Sequence, residues 1–165
     1  MDGGEDATTG DTLSSDKGEE MTRDEVMAMT DDELRIKAAE LGGWTAIGIL
    51  NDGTPYGRPP AGWTPPIDDP NPYDSDNVWC LPNYPNDIAA AWELIAEWKP
   101  KGFMLYTDDK THSKWMAHCT QRERPTLGDS RTNHVMTMSA DTAPHAITRA
   151  FILAMEADNA DRRVL

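Results

Sequence analysis

The chain has 165 residues, a length that suits one domain with a tail, and a formal net charge of −14. Because binding to a phosphate backbone depends on lysine and arginine, this charge argues against general nucleic-acid binding and against an anionic membrane surface. Two cysteines, Cys80 and Cys119, are too few for a disulfide framework, and no apolar run approaches the ~20 residues of a membrane span. We therefore expect a soluble intracellular protein with two free thiols.

Residues 1–20 differ in composition from the rest of the chain. Seven acidic residues and one lysine give this segment a charge of −6, which leaves −8 for residues 21–165. Such a segment buries too little apolar surface to offset the entropy cost of ordering it, so we expect a disordered acidic tail. A single domain is predicted over residues 21–158, followed by a frayed C-terminus at residues 159–165.

Two capping-box patterns open the predicted domain. Thr22–Glu25 begins a short turn, and Thr30–Glu33 begins a helix that continues to about Leu41. Residues 42–43 are glycines, which adopt the left-handed conformation that ends many helices without strain. The helix is too short to be stable alone, so we expect it to pack on the domain.

Residues 44–85 are rich in proline and aromatic residues. Nine of the twelve prolines lie between Pro55 and Pro85. Proline lacks a backbone donor, which argues against a long helix or a central strand here. A short strand over Thr45–Leu50 precedes a predicted turn at residues 51–53. We expect the remainder to be a long surface loop inserted into the domain and anchored by its aromatic side chains.

The residues from 86 onward predict a helix, three strands and a second helix. Asn86 or Asp87 caps the first helix, which ends before Pro100 and Gly102. The predicted buried face of this helix consists of Ile88, Ala91, Trp92 and Ile95, at the spacing i, i+3, i+4 and i+7. We expect that face to anchor the helix on the sheet that follows.

Three strand candidates cover residues 103–107, 114–120 and 134–139. The last helix begins at residues 141–144, with proline in its first turn. Its predicted buried stripe consists of Ala143, Ile147, Ala150, Phe151 and Ala154. The predicted fold class is α+β, a layered sandwich in which helices cover a three-stranded antiparallel sheet in the order α-β-β-β-α. An N-terminal helix and the long proline-rich loop precede this core.

Three blocks of sequence, at residues 32–45, 82–92 and 140–150, together resemble the phage ABA-sandwich domain family. The resemblance covers about residues 21–158, and the blocks occur in the order seen in that family. It implies an α/β/α layered domain in a phage or prophage protein that is expressed in the cytoplasm of a host bacterium. It brings no catalytic residues and no established activity.

The histidines and cysteines do not form a metal-binding pattern. His112, His118, Cys119 and His134 are the candidate ligands, but the chain has no Cys-x-x-Cys or His-x-x-x-His pair. Adjacent residues of a strand point to opposite faces, so His118 and Cys119 are not expected to share an ion. No metal and no cofactor are predicted.

Two alternative functions follow from particular features. A small hydrolase would use Cys119 as nucleophile and His134 as base, although the spacing suggests no third group that orients them. An RNA-binding domain would use the α-β-β-β-α order, but the last helix offers it only Arg149 and then acidic residues.

The favoured hypothesis is non-catalytic binding. Its candidate ligand-binding residues are Arg122, Arg124 and Arg131 in one loop, and Trp63, Tyr73 and Trp79 in the proline-rich segment. The acidic surface suits a basic host protein, whereas the arginines suit a small anionic ligand such as a nucleotide signal, whose sequestration would blunt a host defence. Self-association of the chain is left open by the sequence.

Overall fold

The computed structural model describes residues 21–64, 77–100, 102–108, 114–120 and 135–163. The predicted tail at residues 1–20 lies outside the described residues. Four helices lie in the described part of the chain: α1 (Arg23–Ala28), α2 (Asp31–Leu41), α3 (Ile88–Trp98) and α4 (Ala143–Arg163). Helix α4 is thus longer than expected, since the sequence predicted a frayed end after residue 158.

The described strands form two antiparallel sheets. The small sheet has the order β1-β2-β3, with β1 (Thr45–Ile49), β2 (Pro55–Arg58) and β3 (Trp79–Cys80). The main sheet has the order β4-β5-β6, with β4 (Gly102–Thr107), β5 (Trp115–Thr120) and β6 (Val135–Ala140). The protein is therefore α+β, as predicted, and the three strands predicted after residue 102 are confirmed.

Both predicted capping boxes are present. The Thr22 N–H donates to Glu25 Oε2 at 2.6 Å, and the Thr30 N–H donates to Glu33 Oε2 at 2.7 Å. In each pair the threonine Oγ1 accepts a hydrogen bond from the glutamate N–H in return. Helix α2 ends at Leu41 as predicted, and Gly43 has the left-handed φ of +88° that the chain needs after the helix.

Helix α3 begins as predicted but buries a different face. Asp87 caps it, accepting a hydrogen bond from the Ala89 N–H at 2.8 Å. Its buried residues are Ala90, Ala91 and Leu94. Of the predicted buried face, Ala91 is buried and Ile95 is half-buried, but Ile88 and Trp92 are 44% and 43% exposed, so the prediction that these two are buried was wrong. The small side chains of α3 allow close packing on α4, and that contact sets the rotation of the helix.

Helix α4 lies on one face of the main sheet, against β5 and β6. All five residues of its predicted buried stripe are buried. On the sheet, the buried side chains facing it include Cys119 and the cross-strand pair Ala117 and Met138 of β5 and β6. On β4, by contrast, Met104 and Tyr106 project from the opposite face of the sheet and are 57% and 44% exposed.

The strand predicted over Thr45–Leu50 is confirmed as β1, but its sheet was not expected, and the prediction of a long loop was wrong for residues 55–58 and 79–80. Residues 65–76 of that predicted loop lie outside the described residues. Strand β2 is the central strand although it begins at Pro55. The strand ends before Pro59. Pro55 has no backbone N–H, which is tolerated at the first position of a strand. The Pro55 carbonyl still accepts a hydrogen bond from the Leu81 N–H at 3.0 Å. Gly48 lies opposite Tyr56, whose hydroxyl occupies the space of a side chain.

A carboxylate joins the starts of three helices. Asp31, in the first turn of α2, accepts a hydrogen bond from Asn86 Nδ2 at 2.9 Å and lies 2.9 Å from Nε2 of His145 in the first turn of α4. Asn86 immediately precedes the cap of α3. The hydrogen bond from Asn86 is the main cause that lowers the pKa of Asp31, and the charge of His145 adds to it.

We expect this contact to make stability depend on pH. Because the pKa of Asp31 is lower in the folded state, its contribution is present above the unfolded value of 3.8 and is lost as the pH falls through the folded value. Asp31→Asn should reduce the free energy of unfolding by about 0.5–1 kcal/mol near neutral pH, a small effect because the side chain is half exposed. The difference from wild type should shrink in strong acid.

Urea unfolding at about pH 6 and about pH 3 measures both effects. Asp32→Asn is the matched control, since it removes the same charge from the same helical turn. An equal loss in the two variants, or a loss that persists unchanged in acid, would contradict the assignment.

Candidate functional site

Two of the predicted ligand-binding residues, Trp63 and Trp79, lie together in an aromatic cluster with Trp44. The ring centroids are 5.3 Å apart for Trp44 and Trp63 and 5.4 Å apart for Trp63 and Trp79, in edge-to-face geometry. Trp44 is buried and hydrogen-bonded to Tyr84, whereas Trp63 and Trp79 are half-buried. The visible role of the cluster is to hold β3 and the segment after β2 against the start of β1.

The other predicted ligand-binding residues, Tyr73, Arg122, Arg124 and Arg131, lie outside the described residues. The same is true of His134, the proposed base of the hydrolase hypothesis. Of that set, the structure describes only the two tryptophans, and it brings these two together.

Cys119, the proposed nucleophile, is buried under α4. Its Sγ lies 3.8 Å from the carbonyl oxygen of Met136 and 3.9 Å from that of Ala150. Burial raises the pKa of Cys119 to about 12. The thiol is therefore protonated at neutral pH, whereas nucleophilic catalysis needs the thiolate.

His118 and Cys119 point to opposite faces of the main sheet, which agrees with the argument made from sequence. The His118 Nδ1 lies 3.0 Å from the Thr137 hydroxyl on the face away from α4. Among the described residues, no three histidine, cysteine or acidic side chains are close enough together to hold a metal ion.

Arg149, which the sequence analysis gave as the only base that the last helix offers for RNA binding, is engaged inside the fold. Its Nη1 donates to the Ser139 carbonyl at 3.2 Å, and its Nη2 donates to the Met27 carbonyl at 3.3 Å. A guanidinium held by two backbone carbonyls in this way is not presented to a phosphate backbone.

A cleft of about 460 Å³ opens where α2 and α3 end beside the middle of α4. Its volume lies within the range of small-ligand sites. Aromatic and aliphatic side chains from all three helices line it, with Trp98 and Phe151 in edge-to-face contact at 6.1 Å. The lining residues are Leu41, Gly42, Gly43, Glu97, Trp98, Lys99, Pro100, Phe151, Met155 and Asp158.

The electrostatics of this cleft favour a positively charged group. Two helices end at its rim, and the C-terminal end of a helix carries partial negative charge. Glu97 and Asp158 add two carboxylates, against the single cation Lys99 among the lining residues. The half-buried ring of Trp98 adds an aromatic face, which also attracts cations. The cleft therefore suits an amine or guanidinium rather than a phosphate.

The sequence predicted where α2 and α3 end, but not that these two ends lie side by side on α4. Gly42–Gly43 and Pro100 are local signals that end α2 and α3. The cleft forms because α2 and α3 both pack on α4. A site of this kind depends on long-range packing, which leaves no local motif.

We expect the two cysteines to differ strongly in alkylation. In the folded protein, Cys119 should react with iodoacetamide at least about a hundredfold more slowly than in the urea-unfolded chain, because burial removes both access and thiolate. Cys80 is half-buried and provides the internal comparison. Peptide mass spectrometry after timed alkylation gives both rates, and fast labelling of Cys119 in the folded protein would revive the hydrolase hypothesis.

Among the described helices, none is long and apolar enough to cross a membrane. No protein-family model matches this chain, and no curated protein is significantly similar to it. The resemblance to the phage ABA-sandwich domain family therefore stays a prediction made from the sequence.

Proposed function

We propose that this chain is a phage or prophage accessory protein that acts inside the host bacterium by non-catalytic binding, and that it binds a basic side chain of a host protein. The three sequence blocks support the phage setting. The element order α3-β4-β5-β6-α4, with α4 packed on β5 and β6, supports the helix–strand–helix order of the proposed layered domain. The site is the cleft between the ends of α2 and α3.

The observation that carries this proposal is the charge and chemistry of the cleft. Two helix C-termini, the carboxylates of Glu97 and Asp158, and the half-buried ring of Trp98 line the cleft. An arginine side chain matches such a site, because its guanidinium stacks on aromatic rings and pairs with carboxylates. A nucleotide signal would instead place its phosphates among groups of like charge.

The charge of the whole chain acts in the same direction. A net charge of −14 accelerates encounters with basic partners and slows encounters with anionic ones. The long-range field thus brings a basic protein to the surface, and the cleft then selects one of its side chains. This division of roles predicts binding that weakens as salt is added.

A titration followed by NMR tests the proposal directly. The 15N-labelled full chain is titrated with an arginine-containing peptide, with a cyclic dinucleotide and with a short RNA duplex. We expect the peptide to shift the Trp98 indole and the Lys99 amide, which lie at the cleft. Added salt should weaken this binding.

Matched variants distinguish the cleft from general acidity. Glu97→Gln and Asp158→Asn should each weaken peptide binding by about fivefold, as expected for a partly exposed charge pair. Glu93→Gln removes the same charge from the preceding turn of α3, outside the cleft, and should leave the affinity close to wild type. Equal effects of all three variants would contradict the site, and shifts caused only by the dinucleotide would favour the nucleotide hypothesis.

A further inference from the structure

The outer edge of β4 has no partner strand among the described residues, since the main sheet has the order β4-β5-β6. Natural edge strands are usually protected by lysine, proline, a bulge or a covering element. Strand β4 has the sequence Gly-Phe-Met-Leu-Tyr-Thr, without a charged residue or a proline, and pairs with β5 in a continuous register. Within the part of the chain that the structure describes, this edge is thus open to pairing with another strand.

The hydrogen-bond pattern shows which backbone groups point outward from this edge. The Asp108 N–H donates to the Lys114 carbonyl at 2.9 Å, and this pair continues the β4–β5 register by one residue. Directly opposite residues of antiparallel strands alternate between bonded and non-bonded pairs. The N–H and C=O groups of Phe103, Leu105 and Thr107 therefore point away from β5, toward the open edge.

Helix α3 presents an uncharged exposed side next to this edge. At 100° per residue, that side contains Ile88, Ala89, Trp92, Ile95 and Ala96, none of which is charged. Glu93 and Glu97 lie further round the helix, on the other side of its exposed half. The Trp92 and Phe103 rings are 5.5 Å apart in edge-to-face contact, so this side of α3 lies next to the start of β4.

We propose that β4 pairs in antiparallel orientation with β4 of a second copy of this chain, about a twofold axis at Leu105, to give a six-stranded sheet. In this register the outward groups of Phe103 meet those of Thr107 in the second copy, and Leu105 meets Leu105. Every outward N–H and C=O of the three residues then has a partner. The uncharged sides of the two α3 helices approach each other across the same axis.

The register also matches the side chains on the open face of the sheet. Met104 lies opposite Tyr106 of the second copy as a non-hydrogen-bonded pair, in which side chains approach most closely. Methionine sulfur packs favourably against an aromatic ring. Met104 and Tyr106 are 57% and 44% exposed in the single chain. Pairing would cover part of this exposed surface with one Met104–Tyr106 pair on each side of the twofold axis.

A second copy fits this surface better than a basic partner because the surface itself is uncharged. Two chains of charge −14 repel each other, and self-association is favoured only where no carboxylates are brought together. The edge of β4 and the neighbouring side of α3 meet this condition. The edge is also self-complementary, as a twofold interface requires, since the same residues supply both halves.

The mass of the full chain in solution is the first test. Sedimentation equilibrium at a protein concentration of about 100 µM should give twice the chain mass of 18.3 kDa. At this concentration we expect a dimer with an interface of ordinary size to be populated. Trp92→Lys and Tyr106→Lys should each raise the dimer dissociation constant at least tenfold. Ile49→Lys is the matched control, because Ile49 is 62% exposed in the small sheet, away from this surface. A monomeric wild type overturns the proposal, as does a dimer that only the control disrupts.

Amide exchange tests the register. In the dimer, the amides of Phe103, Leu105 and Thr107 should be protected at high protein concentration and should exchange faster on dilution or in Trp92→Lys. Protection of these amides in a monomer would mean that another segment of the same chain covers β4, which overturns the proposal. Oxidation of the Met104→Cys, Tyr106→Cys double variant should give a covalent dimer, and the Ile49→Cys, Tyr106→Cys variant should not.

Discussion

The rest of the fold depends on how closely the main sheet and the other helices pack on α4. Ala146, Ala150 and Ala154 have no exposed surface, and the Cys119 sulfur lies 3.9 Å from the backbone carbonyl of Ala150. Alanine side chains let the sheet and the other helices approach this helix closely, and a larger residue would have to push one of them away. Helix α4 contacts β5, β6, α1, α2 and α3, so its alanine stripe fixes the spacing of most of the domain.

Polar contacts then fix how the elements around α4 are oriented. Lys37 on α2 lies 2.6 Å from Glu156 on α4, and Arg149 connects the end of β6 to α1 through two backbone carbonyls. Asp31 connects the starts of α2 and α4 and the turn before α3. Apolar packing sets the distances in this domain, and these contacts select one arrangement among those that packing allows.

The sequence predicted the elements whose signals are local. Thr22 and Thr30 start helices through capping boxes, the alternation in β5 places Cys119 under α4, and the period of α4 identifies its buried stripe. The predicted buried face was wrong where a helix has two apolar faces. Helix α3 has apolar residues on most of its circumference, and packing on α4 favoured its alanines over Ile88 and Trp92.

The small sheet and the cleft show two further limits. Pro55 suggested a loop, because proline disfavours central strands, yet a four-residue strand that begins at proline loses no hydrogen bond inside it. The cleft depends on two helix ends that are more than fifty residues apart in the chain. Trp63 and Trp79 were predicted as ligand-binding residues, and the structure brings them together with Trp44 in a packed cluster.

The separation of the two sheets has a consequence for how the protein opens. In the described part of the chain the sheets share no strand, and the small sheet is joined to the remainder through Trp44, Leu81 and the Arg35 guanidinium, whose Nε donates to the Leu81 carbonyl at 2.9 Å. Among the described elements, α2 makes the main helix contact with the small sheet, whereas α4 packs extensively on β5 and β6, so we expect the small sheet to open at a lower free energy than the sheet under α4. Thermal fluctuations would then expose β1–β3 while the main sheet stays folded, so proteolysis of the native state would start in the small sheet.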